Sequence, residues 1–202
     1  MTANIQVAII IVKKNFQKAM IMFAQSSFGK NILADFTPKD QSIFGVKGNG
    51  KYAKFNLILQ EELISNQQTR TTRFFNTKEG TWIHGQTIMN ADADGKPQFI
   101  VIFDLDYSTE ELTETISHEF AVHLTKAPEV IEAYLETGNM EKPKEIWSKS
   151  SASKEHHNLT EKDKKKQLQS TKNYNKTRNE LVKKHPLLNN IFNEAKKEHT
   201  KY

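Results

Sequence analysis

The sequence predicts an α+β fold, a small and mostly antiparallel sheet set among helices, and three observations lead there. Between residues 13 and 36 the apolar residues Phe16, Met20, Phe23, Phe28, Ile32 and Phe36 recur at roughly helical spacing. The run Gln98-Phe99-Ile100-Val101-Ile102-Phe103 is almost wholly apolar and β-branched or aromatic, which suits a strand buried on both faces. Shortly after it, Ser108-Thr109-Glu110-Glu111 reads as a capping box, in which the serine hydroxyl and the glutamate carboxylate each satisfy an orphan backbone donor.

The elements follow in order. Residues 13–36 are expected to form one or two helices, with a break at Gly29. Ile43-Phe44-Gly45-Val46 and residues 52–59 flank Gly48-Asn49-Gly50, a hairpin signal. Residues 80–89 and 98–105 flank Asp92-Ala93-Asp94-Gly95, a second hairpin. The capped helix runs through Leu112, Ile116, Phe120 and Val122 and must stop near Ala127, because Pro128 follows. A further helix over 128–136 ends at Gly138, a good C-terminal cap. Residues 139–158 read as a loop. Beyond Leu159 the apolar residues thin out, and Leu181, Leu187, Leu188, Ile191 and Phe192 predict one or two weakly docked helices. The whole chain, 1–202, is expected to be one domain, with 159–202 as its basic helical extension.

Composition narrows the chemistry. With 202 residues the chain can bury a sizeable core, although its hydrophobic share of 37% is low for a compact globule. No cysteine is present, so there is no disulfide framework, no thiolate nucleophile and no cysteine-held metal. Any metal must be held by histidine and carboxylate. The net charge of +5 is uneven: residues 1–153 carry 16 Lys+Arg against 18 Asp+Glu, and residues 154–202 carry 13 against 6. The basic character therefore belongs to the tail, and the body is mildly acidic. The most apolar stretch, residues 7–12, is short and is followed by Lys13 and Lys14, without the flanks of a signal peptide or the length of a membrane span. If the protein leaves its cell, it is expected to do so without a standard signal.

The sharpest motif lies on the capped helix: Ser117-His118-Glu119-Phe120-Ala121-Val122-His123. Two histidines flanking a glutamate suggest the zinc helix H-E-x-x-H with one residue added. Histidines four apart differ by ~40° around an ideal helix, whereas five apart differ by ~140°, too far to grip one ion. A single π-bulge absorbs the extra residue and restores a common face, and such bulges favour functional sites. Neutral imidazoles bind Zn²⁺ through nitrogen, and a third protein ligand leaves one position for water. Glu119, beside His118, is placed to activate that metal-bound water as a general base without ligating the ion.

The third ligand must come from elsewhere. His156, in a loop leading into the helix near Leu159, is the first candidate, so the expected metal ligands are His118, His123 and His156. His157, Glu155, Glu132 and Glu136 are rivals for the third place.

His118-Glu119-Phe120-Ala121-Val122-His123 resembles the His-Glu-x-x-x-His motif of the dipeptidyl-peptidase III family, although the rest of the chain does not resemble that much larger enzyme. A fuller resemblance is to predicted metallopeptidase-like toxin domains at the C-termini of bacterial polymorphic and contact-dependent effectors. It covers most of residues 20–185. It is carried by Ser26-Ser27-Phe28-Gly29-Lys30, the Gly-rich segment 45–59, Phe99-Ile100-Val101-Ile102-Phe103-Asp104, the Ser117-His118-Glu119 helix, and Glu155-His156-His157-Asn158-Leu159. The resemblance implies a zincin-like metal-binding helix and a Zn²⁺-dependent peptidase acting as an antibacterial or effector toxin. Its substrate would be a protein or peptide, and a cognate immunity protein would occlude the site in the producing cell. Delivery would be by a bacterial secretion system; otherwise the protein would be cytoplasmic.

Other features of the sequence carry weaker signals. Asn90-Ala91-Asp92-Ala93-Asp94-Gly95 copies half of a calcium loop, but Val101 stands where a bidentate glutamate is required, so a turn is expected. Asp104 and Asp106 at a strand end could bind Mg²⁺ in a nuclease, the alternative enzyme; their other role is to solvate the strand end or to orient a histidine ligand. His84 reads as structural, and Tyr134 is a candidate to steady an oxyanion. The basic tail, Lys162 to Lys166 onward, reads as a solvated helical extension and not as a nucleic-acid surface. A non-catalytic zinc-binding interaction module is the third reading; it requires four protein ligands and no open position.

Overall fold

The computed structural model of the chain describes residues 14–62, 75–76, 81–82, 85–104, 107–149 and 161–199. The architecture is α+β. At the N-terminal end α1 (Lys14–Phe23) and α2 (Ser27–Phe36) form two helices, as the apolar spacing predicts. The break falls at residues 24–26 and not at Gly29. Ser26 caps α2, its hydroxyl accepting the Gly29 N–H at 3.0 Å. Gly29 lies inside the helix, at a position where a Cβ would stand 2.2 Å from the Phe23 carbonyl oxygen. It marks a close approach to the preceding helix.

The first predicted hairpin is rearranged. β1 (Ser42–Ile43) and β2 (Val46–Lys47) form a two-residue hairpin through Phe44 and Gly45, whose φ angles are +49° and +79°. Positive φ at both central residues is the turn that matches strand twist. Gly48-Asn49-Gly50 does not turn a hairpin. Its backbone donors close the C-terminal end of α2: Asn49 N–H donates to Ala34 O at 2.9 Å and Gly50 N–H to Thr37 O at 2.9 Å. Those contacts satisfy carbonyls that a helix end leaves open. The strand beyond, β3 (Asn56–Glu62), is thereby directed into a different sheet.

β4 (Phe75–Asn76) and β5 (Thr81–Trp82) make a short antiparallel pair. The second predicted hairpin is present: β6 (Gly85–Ala91) pairs antiparallel with β7 (Pro97–Asp104), Gly85 facing Phe103 and Ala91 facing Pro97. The Asp92 carboxylate accepts the N–H groups of Asp94 at 2.9 Å and Lys96 at 2.8 Å, and Gly95 sits at φ +77°, so the calcium-like string is a turn. β3 adds to the other side of β7 in parallel, giving the order β3-β7-β6. β7 is therefore central, in keeping with its apolar run. Phe99, Val101 and Phe103 on one face are wholly buried.

The helices cover that face. Phe16 of α1 packs on Phe103 with ring centroids 5.0 Å apart, and Phe36 of α2 meets Phe99 at 5.9 Å. α3 (Thr109–His118) begins at the predicted capping box, with Ser108 Oγ accepting Glu111 N–H and the Glu111 carboxylate accepting Ser108 N–H. After a π turn and one 3₁₀ turn, α4 (Ala127–Thr137) starts with Pro128 in its first turn and ends on Gly138 at φ +66°. The expected loop after residue 139 contains a further helix, α5 (Glu141–Ser148). Pro143 is compatible with it because it falls in the first turn, where no intrahelical N–H bond is lost.

α6 (Glu161–Lys184) and α7 (Leu188–His199) complete the described chain. They dock more firmly than the sparse apolar residues suggest. Leu181, Leu188 and Phe192 are wholly buried, while Leu187 stays exposed. A polar tie reinforces them: the Glu180 carboxylate accepts the Ser27 N–H at 2.6 Å and the Ser27 hydroxyl at 2.7 Å, at the N-terminus of α2. Among the described residues, no helix is long and apolar enough to cross a membrane.

Candidate metal centre

α3 is an unusual helix in that Thr113, Thr115 and Ser117 are all buried. Their hydroxyls donate back to carbonyls one turn earlier: Thr113 to Thr109 O at 2.7 Å, Thr115 to Glu111 O at 3.1 Å and Ser117 to Thr113 O at 2.7 Å. Polar groups are thus buried without loss of partners.

At Glu119 the helix widens. Residues Glu119–His123 form a π turn, closed by the Leu124 N–H donating to the Glu119 carbonyl five residues back. This is the device that the five-residue spacing of the histidines requires. The rings of His118 and His123 lie with centroids 5.2 Å apart, where a regular helix would turn them ~140° from each other. On the opposite side of the turn Phe120 and Ala121 are wholly buried, and Phe120 meets Phe23 of α1 at 5.0 Å. The apolar residues hold the π turn against the core and leave both histidines half-buried.

Glu119 is 5% exposed. Thr87 of β6 donates its hydroxyl proton to Glu119 Oε2 at 2.6 Å. β6 comes this close because Gly85, two residues earlier on the same face, has no side chain. A Cβ there would stand 2.9 Å from Thr115 Cγ2 and 3.0 Å from Glu119 Cγ. One ligand-type atom from each of His118, Glu119 and His123 lies within 4.8 Å of the others. Nitrogen ligands sit ~2.0–2.1 Å from Zn²⁺, so this grouping fits an ion after small side-chain rotations. The two imidazoles are donors that Zn²⁺ accepts, and the Glu119 carboxylate stands close enough to reach a water bound beside them.

α6 packs across the π turn. Tyr174 lies edge-on to His118, with centroids 5.8 Å apart, and donates its phenol proton to Glu114 Oε1 at 2.6 Å. Burial first, and then the Glu114 charge and hydrogen bond, hold that phenol well above its ordinary pKa, so it stays protonated as a donor. Asn173 donates to Thr125 Oγ1 at 2.9 Å just beyond His123.

The other sequence candidates fall elsewhere. His156, His157, Glu155, His84 and Asp106 lie outside the described residues. Glu132 and Glu136 line a groove of about 150 Å³ with Glu129 and Lys142, and Glu136 pairs with Lys142 at 2.8 Å; neither joins the histidine group. Asp104 ends β7, buried, and is likewise outside that group. Tyr134 packs on Phe55, just before β3, at the turn end of the β6–β7 hairpin. Glu119 is held at the other end, so Tyr134 is not placed to serve the site.

Three residues at the site escape the sequence reading. Gly85 and Thr87 alternate on one strand face, and a glycine inside a strand is a signal of close backbone approach. Tyr174 is an isolated aromatic in a polar helix, which marks the side that docks. Compared with family models, curated proteins and solved structures, the chain gives no significant match, so its functional reading rests on the geometry of this centre.

Proposed function

We propose that the protein is a zinc-dependent metallopeptidase, with His118 and His123 holding the metal and Glu119 as general base. His156, the candidate third ligand, belongs to the same proposal. The observation that carries this reading is the π turn, which gathers two histidines five residues apart beside a buried carboxylate. A helix held only for packing has no need of that defect.

Bound by His118 and His123, zinc would supply a Lewis acid able to polarise a scissile carbonyl and to lower the pKa of water to ~7. Glu119 takes a proton from the attacking water as the C–O bond forms and returns it to the nitrogen as the C–N bond breaks. Its burial keeps the carboxylate from bulk solvent, and Thr87 fixes its direction. An extended substrate would need a strand edge close to Glu119. β7 is paired on both sides and so offers no edge to an extended peptide. The edge strand beside Glu119 is β6, whose outer side has no strand neighbour among the described residues. An extended peptide adding there would run past the general base.

The role of a delivered antibacterial or effector toxin, moved by a bacterial secretion system and checked by an immunity protein, is part of the proposal through the resemblance in motif order. The test of the chemistry is Glu119→Gln. The variant is expected to bind zinc as the wild type does and to lose hydrolysis of a fluorescence-quenched peptide library. Full hydrolysis by Glu119→Gln would refute the mechanism.

A further inference from the structure

We infer that Thr87 is a positioning residue for Glu119: its hydroxyl holds Oε2 and so fixes the carboxylate beside the two histidines. The inference rests on the reading of Glu119 as the general base.

Thr87 is half-buried on the strand face that packs against the helices. Its register partner on β7 is Val101, and the neighbouring pairs on that face are Gly85 with Phe103 and Met89 with Phe99. Val101, Phe103 and Phe99 are wholly buried. A hydroxyl on such a face needs a partner, and the one it has is the Glu119 carboxylate at 2.6 Å. That distance belongs to the charge-assisted O–H···O⁻ class, ~2.5–2.7 Å. The Glu119 backbone carbonyl lies 3.5 Å from the same hydroxyl, beyond useful range, and the hydroxyl has a single proton to give. Its proton therefore goes to Oε2. No other described residue donates to the carboxylate.

The strand and the helix are brought together for this contact. Gly85 removes the side chain that would hold β6 away, and Oε1 lies 3.3 Å from the point its Cβ would occupy. The π turn sets the angle at which Glu119 leaves the helix, and β6 sets the rotamer. A carboxylate attached only to the helix could swing about its side-chain torsions. Tied to a central hairpin it cannot.

Two substitutions separate positioning from packing. Thr87→Val keeps the β-branched shape that a strand favours and removes the proton; Thr87→Ser keeps the proton. With the quenched peptide library as probe, Thr87→Val is expected to lose about 10–100-fold in kcat with KM and zinc content unchanged. Thr87→Ser is expected to recover most of that loss. A second readout needs neither metal nor turnover. In the metal-free protein, Thr87→Val is expected to lower the urea midpoint, but to have little effect in a Glu119→Ala background. An inactive Glu119→Gln with Thr87→Val at wild-type kcat, or an additive pair of midpoint shifts, would overturn the positioning role alone. A fully active Glu119→Gln would overturn the general-base reading and the positioning role with it.

Discussion

Gly85→Ala probes the contact on which the site depends. The added methyl would stand 2.9 Å from Thr115 Cγ2, 3.0 Å from Glu119 Cγ and 3.3 Å from Glu119 Oε1. Carbon atoms rest ~3.5–4.0 Å apart, so strand and helix must separate by about 0.5–1 Å or a side chain must turn away. Neither neighbour turns freely. The Thr115 hydroxyl is tied to Glu111 O at 3.1 Å, and the Glu119 carboxylate to Thr87 at 2.6 Å. Overpacking of this kind costs about 1–3 kcal/mol. At ~2–4 °C per kcal/mol for a chain of this size, Tm should fall by roughly 2–12 °C. The same separation lengthens the Thr87–Glu119 bond past the range of a strong hydrogen bond. Peptide hydrolysis measured well below Tm should therefore fall as well, independently of the folded fraction. Thermal unfolding by circular dichroism and library hydrolysis at 25 °C give the two readouts. A Gly85→Ala protein with unchanged Tm and unchanged activity would refute the close approach of β6 to Glu119.

Two further predictions address the helices. Deleting Val122 leaves the histidines four apart, ~40° around a regular helix, so zinc affinity should stay within about tenfold of wild type by chelator competition; loss of binding in a folded variant would show that the π turn does more than align them. Glu180→Ala removes both bonds to Ser27 and should cost about 1–2 kcal/mol in urea unfolding at pH 7. Burial pushes the Glu180 pKa up, but the Ser27 hydrogen bonds outweigh it and the net shift is downward. A depressed folded pKa means that this stabilisation is present above the ordinary carboxylate pKa and fades as pH falls through the folded value. The difference between Glu180→Ala and wild type should therefore be full near neutrality and shrink in acid; a difference that grows in acid would contradict the assignment.

Much of the local structure, at the site and away from it, was legible in the sequence because it is set by short-range chemistry. The capping box, the Asp92–Gly95 turn, the Gly138 cap and the need for a π turn between His118 and His123 each follow from residues a few positions apart. What was not legible depends on contacts between distant segments. Gly29 looked like a helix break, yet its role is to let α2 pass the Phe23 carbonyl. Gly48-Asn49-Gly50 looked like a hairpin turn, yet its donors belong to the end of α2, which sends β3 into parallel pairing with β7. The tail looked weakly docked because its few apolar residues are spread over two helices; the structure buries Leu181, Leu188 and Phe192 together. Thr87 and Tyr174 were silent for the same reason. Their importance comes from lying opposite Glu119 and His118, which no local pattern encodes.

Everything proposed for the site requires that His118 and His123, aligned by the π turn, hold a metal ion. Elemental analysis of the purified, zinc-equilibrated protein tests it most directly, with His118→Ala and His123→Ala measured alongside. One equivalent of zinc is expected in the wild type, with its loss from both folded variants. A metal-free wild type, or variants that keep the full equivalent, would contradict it.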